Sequence, residues 1–212
     1  LYKNILSKVY KYYMKILAVQ NKMGIGDTII YLPFIKALSK KFNSPISILV
    51  KENSKANQYL HQTSYIDKIL ILKRDNKTNN RHDGFFGFLN LAKDLKKHKF
   101  DKIFIFNSSL RFYLIAKMCG IPKIYQYPLF TKSKQHITEV PKKFLKKNFD
   151  LDVNEDPEIQ IDDFSIFQAI EKFQIDKNKI NILLGIGGSG PTKRIPAKTF
   201  LSVIDKISNI RS

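Results

Sequence analysis

The stretch ILAVQNKMGIGDTIIYLPFIKALSKKFNSPISILV, residues 16–50, decides the architecture. Lys15 to Val19 (KILAV) is short, apolar and β-rich, which predicts a strand. A glycine-bearing turn follows, Met23-Gly24-Ile25-Gly26-Asp27-Thr28, and a helical pattern runs from Thr28 to Phe42. Ile46 to Val50 (ISILV) reads as a second strand. Strand, turn, helix and strand make a βαβ unit, which implies parallel pairing and a right-handed crossover.

The same alternation continues downstream. Lys55–Gln62 reads as a short helix and Ile66–Leu72 (IDKILIL) as a strand. Lys73–Gly84 (KRDNKTNNRHDG) is polar and lacks periodicity, which predicts a mobile, solvated loop. Phe85–His98 is a predicted helix, Lys102–Phe106 (KIFIF) a strand, and Leu110–Met118 a helix ended by Gly120. Ile121–Tyr127 is a further short strand. The expected fold class is α/β: a doubly wound, Rossmann-like parallel-sheet domain over residues 1–155.

Composition shifts near Asp150, where Asp152, Glu155, Asp156, Glu158, Asp162 and Asp163 crowd around Pro157. That reads as an interdomain connection. A helix (Phe164–Phe173), a strand (Ile180–Leu184, INILL), a glycine-rich turn (Gly185–Arg194) and a helix from about Pro196 to Ile210 follow. One strand and two helices cannot enclose a core, so residues 156–212 are expected to be a linker and the truncated start of a second Rossmann-like domain.

With 37 Lys+Arg against 18 Asp+Glu, the formal charge is +19. Such a charge favours nucleic acid, an anionic membrane surface or a phosphorylated substrate. Part of the excess belongs to a general richness in Lys, Asn, Ile and Tyr with no Trp, as AT-rich coding sequence produces. The lone Cys119 excludes an internal disulfide and points to a reducing compartment, the cytoplasm. No stretch reaches the roughly 18 uncharged apolar residues of a membrane span. Leu1–Leu17 carries Ile5, Val9, Tyr12 and Ile16 at helical spacing between lysines, so it either packs on the domain or lies on an anionic bilayer.

Three places could carry chemistry. At the first turn, Gly24 and Gly26 permit a sharp bend and close approach of a ligand. Asp27, at or beside the helix N-terminus, is either a helix cap or a catalytic carboxylate at the cleft mouth. The second place is Gly185–Arg194. Its G-x-G-x-x-G spacing is a weak dinucleotide match, because Pro191 and Pro196 delay the helix. Ser189, Thr192, Lys193 and Arg194 at a helix entrance suit a phosphate or diphosphate, or form a purely structural turn. The third, Asn107, Ser108, Ser109 and Arg111, follows a strand and either binds hydroxyl or acidic groups or caps a helix. His136 has no metal-ligand neighbours in the sequence and reads as a loop histidine.

Four blocks, taken in order, resemble glycosyltransferase family 9, the heptosyltransferases of lipopolysaccharide core assembly. They are Ile16–Val50, Phe100–Gln126, His136–Phe149 and Ile182–Phe200. The most specific elements are Gly26-Asp27 with Pro33 six residues on, and Lys193, Arg194 and Pro196. The resemblance implies a GT-B fold and an inverting, metal-independent transfer of heptose or a related sugar. The donor would be a nucleotide sugar, ADP-heptose above all, and the acceptor an anionic glycolipid. No cofactor and no nucleic acid are then expected, and the place of action is cytoplasmic, at the inner face of the inner membrane.

By the same resemblance Asp27 is the general base. Gly26, Thr28, Ser108, Ser109, Arg111, Lys73 and Arg74 bind acceptor, while Gly188, Ser189, Thr192 and Lys193 hold the donor diphosphate. The sequence departs from the family at Ile195, where Trp is usual. A later motif with an acidic residue, Gly and His is missing before Ser212. The expectation is therefore an inactive fragment of a longer transferase. A non-catalytic basic α/β module that binds an anionic membrane or polyanion is the alternative; an NAD-type oxidoreductase rests on glycine spacing alone.

Overall fold

The structure is a computed structural model that describes residues 13–22, 24–74, 80–129, 136–187 and 194–209. It divides into two compact units, Leu1–Asp162 and Asp163–Ser212.

The first unit is built on five parallel strands. β1 (Ile16–Val19), β2 (Ile46–Lys51), β3 (Ile66–Leu72), β4 (Lys102–Ile105) and β5 (Lys123–Gln126) lie in the order β3-β2-β1-β4-β5. Between them run α1 (Ile25–Phe42), α2 (Gly84–Lys96) and α3 (Leu110–Met118), and α4 (Glu139–Phe149) follows β5. The alternation of side chains along each strand sorts the core into two layers. Ile16, Ala18, Ile46, Ile48, Val50 and Phe104 face one cluster with α1 and α4. Leu17, Val19, Leu49, Ile103 and Ile105 face the other with α2 and α3. β1 is thus buried on both sides, which is why it carries no polar residue. The βαβ expectation and the Rossmann-like sheet are realised.

Three expectations change. The helix predicted at Lys55–Gln62 is instead two 3₁₀ turns, Glu52–Ser54 and Ala56–Gln58, broken by Lys55 in the left-handed region (φ 52°). The acidic segment is no free connection. Along it Glu155 and Glu158 pair with Lys36, and Glu155 also pairs with Lys40. Val153 is buried in the α1 layer, the Tyr65 hydroxyl donates to the Glu158 carbonyl, and Gln62 and Asp162 bond to each other. The structural division accordingly falls after Asp162 rather than after residue 155.

The third change lies in the second unit, which contains α5 (Asp163–Phe173) and α6 (Ala197–Asn209). Ile180–Leu184 is not a strand: it pairs with no described residue, and Leu183 is 97% exposed. A parallel strand forms only beside a neighbour that satisfies its amides, so apolar sequence alone does not suffice. Residues 1–12, and with them most of the basic N-terminal pattern, lie outside the described residues; Ile16 and Leu17 belong to β1. No described helix is long and apolar enough to cross a membrane.

Candidate active site at the C-terminal edge of the sheet

β1 and β4 are neighbours although their outgoing helices lie on opposite faces, so their C-terminal ends form the switch point of the sheet. In open α/β sheets this switch point is the ordinary place for a ligand. Gln20 shapes the exit of β1. Its buried side chain donates to the Asp27 carbonyl (3.0 Å) and accepts from the Lys22 amide (2.9 Å). The turn is therefore tied back on itself, and α1 begins at Ile25, three residues earlier than predicted.

In this geometry Asp27 is not the N-cap of α1. The N-cap is Gly24, without a side-chain cap bond, and Asp27 is the third residue of the helix. Its carboxylate folds back over Gly24, where an added Cβ would stand 3.3 Å from Oδ2. Among the described residues the carboxylate makes no ion pair, and it is half-buried. Gly26 is a helical residue rather than part of the bend, and a Cβ there would meet nothing. Thr28 is buried with its hydroxyl on the Gly24 carbonyl (3.1 Å).

Tyr31, one turn on from Asp27, sits against Phe106 (ring centroids 5.3 Å apart). Tyr127 stands beyond the same phenylalanine at 6.0 Å. Burial pushes the Tyr31 hydroxyl up from its ordinary pKa, the neighbouring Tyr127 hydroxyl opposes this, and the Asp27 charge adds to it. Burial first, then Tyr31, raises Tyr127 further still. Both phenols thus stay protonated on either side of Phe106, with Tyr31 near enough to feel the Asp27 charge. Sequence reasoning missed Gln20, Tyr31 and Tyr127. Gln20, a lone polar residue directly after an apolar strand, was a readable signal; the two tyrosines meet only through the fold.

A second cluster lies along the same edge, past β3 and before α2 and α3. The loop predicted to be mobile is pinned at both described ends. His82 is buried; its Nδ1 accepts from the Lys73 amide (3.0 Å), so Nε2 donates to Asp94 (3.2 Å). Arg81 makes a two-pronged contact with Asp94 at 2.8 Å each. That guanidinium, with His82 and Lys97, holds the Asp94 carboxyl well below the usual carboxylate range. Burial pushes His82 down, against the pull of Asp94.

Arg111 donates to the carbonyls of His82 (2.9 Å) and Gly84 (3.1 Å) and lies over Phe88. Burial lowers its pKa, nearby Arg74 lowers it again, and Asp83 opposes. The Nε atoms of Arg74 and Arg111 are both buried without a hydrogen-bond partner among the described residues. Two adjacent guanidiniums, partly desolvated and incompletely satisfied, favour an anion between or above them. Lys73 is exposed at the rim.

Ser109 occupies the N-cap of α3 but its side chain does not cap. Asn107 takes that part instead, accepting from the Ser109 amide (2.9 Å), and Gln126 donates to the carbonyls of Asn107 and Ser109. Ser108 lies half-buried in the same turn. Asp27, Thr28, Ser108, Ser109, Arg111, Lys73 and Arg74 are thereby gathered at one edge of one sheet. Gly188, Ser189, Thr192 and Lys193 lie outside the described residues; Arg194 is described and exposed. His136 is an exposed loop histidine against the Thr138 hydroxyl (2.8 Å).

The fold is one found among glycosyl transferases. A family 9 glycosyl transferase from Veillonella parvula is similar to the chain at 23% identity, with a TM-score of 0.73 over 93% of this chain and 61% of that one. The ADP-heptose lipopolysaccharide heptosyltransferase II of E. coli is similar at 14% identity, with a TM-score of 0.60 over 91% of this chain and 62% of its own. The chain therefore spans about three fifths of the length of each neighbour. No family model matches the chain. No curated protein matches it either.

Proposed function

We propose that the chain is the acceptor-side part of a family 9 glycosyltransferase, one that moves a heptose or related sugar from a nucleotide-activated donor to an anionic glycolipid at the cytoplasmic face of the inner membrane. The observation that carries this reading is Asp27: a carboxylate at the switch point, neither helix cap nor ion-pair partner among the described residues, with open space above Gly26. A carboxylate so placed suits a general base. The acceptor hydroxyl oxygen attacks the anomeric carbon from the face opposite the leaving group. Asp27 takes the hydroxyl proton as the new C–O bond forms, and the bond to the diphosphate breaks with its electron pair going to the phosphate oxygen. Configuration is inverted.

Arg74 and Arg111, with Lys73 at the rim, hold the acidic or phosphorylated groups of the acceptor, and Ser108 and Ser109 its hydroxyls. Lys193, with Gly188, Ser189 and Thr192, meets the departing diphosphate, so the step calls for no metal. ADP-heptose is the donor this reading favours, and residues 1–212 alone are expected to bind acceptor without turning over.

The test is Asp27→Asn in the protein joined to a complete donor-side domain. The expected result is a fall in kcat of about 10²–10⁴-fold with acceptor KM little changed. Full activity in that variant rejects Asp27 as the base. Arg111→Ala and Arg74→Ala should instead raise acceptor KM, measured on the same protein.

A further inference from the structure

α2 and α3 lie in one layer, seated on the sheet by Leu91, Ala92 and Leu95 and by Phe112, Ile115 and Ala116. They run side by side in the same direction. Arg111 at the start of α3 reaches Gly84 at the start of α2, and Cys119 just past α3 donates to the Ala92 carbonyl late in α2. Their outward faces therefore look to the same side.

Those faces are apolar where a helix on a globular surface is ordinarily polar. On α2, Phe85 and Phe86 are 73% and 78% exposed and Leu89 is exposed behind them. On α3, Leu110, Leu114 and Met118 form an exposed row at helical spacing. Lys93, Lys96 and Lys117 stand exposed on the same two helices. The one carboxylate within α2 and α3 is Asp94, already held by Arg81 and His82. So six large apolar side chains share a layer with amines that make no ion pair among the described residues, more than scattered exposed residues would supply.

We propose that the outward faces of α2 and α3 form a docking surface for an anionic phospholipid bilayer. Phenylalanine and leucine enter the boundary between headgroups and acyl chains, while lysines meet phosphate at the surface. The composition argues against the other occupants. A second copy would bring Lys93, Lys96 and Lys117 against their own equivalents across a twofold axis. A nucleic acid would use the cations and the two phenylalanines but leave the aliphatic row in water. The surface is argued from the two helices alone and stands or falls independently of sugar transfer, since vesicle partition is read without donor or acceptor.

The test uses the 1–212 chain and vesicles of phosphatidylcholine with or without phosphatidylglycerol. The chain contains no Trp, so Phe86→Trp gives a single fluorescent reporter. Its emission should shift to the blue on anionic vesicles and be quenched by brominated acyl chains. Phe85→Ser with Phe86→Ser should cut partition by about tenfold or more, loss of two interfacial aromatic side chains being worth at least a decade. The Lys93→Glu, Lys96→Glu, Lys117→Glu variant should lose the preference for phosphatidylglycerol. These residues are exposed, so thermal melts of the variants should match the parent.

Partition of the double serine variant equal to the parent, or a Phe86→Trp emission unchanged by vesicles, overturns the proposal and leaves only adsorption of a basic protein. A concentration-dependent dimer abolished by the serine pair, without vesicle binding, also overturns it and assigns the face to a second copy.

Discussion

Replacing Gly87 by alanine sets two physical effects against each other. Gly87 lies inside α2, where helix propensity alone promises that alanine stabilises by about 0.8–1.0 kcal/mol. The structure says otherwise. A Cβ on Gly87 would stand 2.1 Å from the carbonyl carbon of His82, 2.6 Å from its oxygen and 2.7 Å from its Cα. Carbon atoms rest about 3.5–4.0 Å apart, so helix and turn must separate by more than about 1 Å.

The obstacle is backbone and cannot rotate away. Overpacking of this kind costs about 1–3 kcal/mol. Separation also strains the bonds that His82 makes to the Lys73 amide and to Arg111, worth roughly another 1–3 kcal/mol together. Less the propensity gain, the net loss is about 1–5 kcal/mol, centred near 3. For a chain of this length that lowers Tm by about 6–12 °C. Urea titration and thermal melting by circular dichroism on wild type and Gly87→Ala measure it. A variant as stable as the parent, or more so, refutes the placement of the His82 turn against α2, and with it the pinning of Arg111.

Gly26→Ala is the counterpart. With nothing within 4 Å of its Cβ, alanine there should stabilise by about 0.5–1 kcal/mol in the same titration, while weakening acceptor binding because the methyl group enters the open space at the switch point. Burial lowers the pKa of His82 in the fold below its unfolded value near about 6.5. The unfolded chain then binds the extra proton, so the stabilising neutral state is kept above that pH and lost as pH falls through it. His98, also lowered by burial, acts with the same sign. His82→Asn, which retains an acceptor for the Lys73 amide, should flatten part of the decline between pH about 7 and 5 in a series of melts. Leu17→Ala, in the fully buried strand β1, should cost about 2–5 kcal/mol by urea titration.

Much of the sheet was legible in sequence because its central strands β1, β2 and β4 are buried on both faces and read as short, largely apolar runs. β3 and α3 begin and end where the pattern places them. The start of α1 was not legible: Gly24-Ile25-Gly26 has poor helix propensity, and it is the long side chain of Gln20, bonded to the Asp27 carbonyl, that draws this turn into the helix. The stretch Lys73–Gly84 looked solvated because nothing local announces a buried histidine. His82 is fixed by Asp94, twelve residues on, and its carbonyl by Arg111, twenty-nine residues on. Ile180–Leu184 failed in the opposite sense, since its apolar character is local but strand formation is not. At the candidate site, the acid and the arginines were readable as residue types; Tyr31 and Tyr127, which flank Phe106, belong to elements nearly a hundred residues apart and come together only through β1–β4–β5 order.

The acidic segment over residues 151–162 has a consequence in polymer terms. Left free, twelve residues would behave as a tether whose ends wander over about 20 Å, and whatever it carried would be diluted into that volume. Here the segment is held through Lys36 and Lys40, through Tyr65 and Ser64, and finally through Gln62 at Asp162. Its conformational entropy has already been surrendered within the first unit. The acidic stretch is therefore part of the first unit's own surface as far as Asp162, anchored there rather than paid out as a leash.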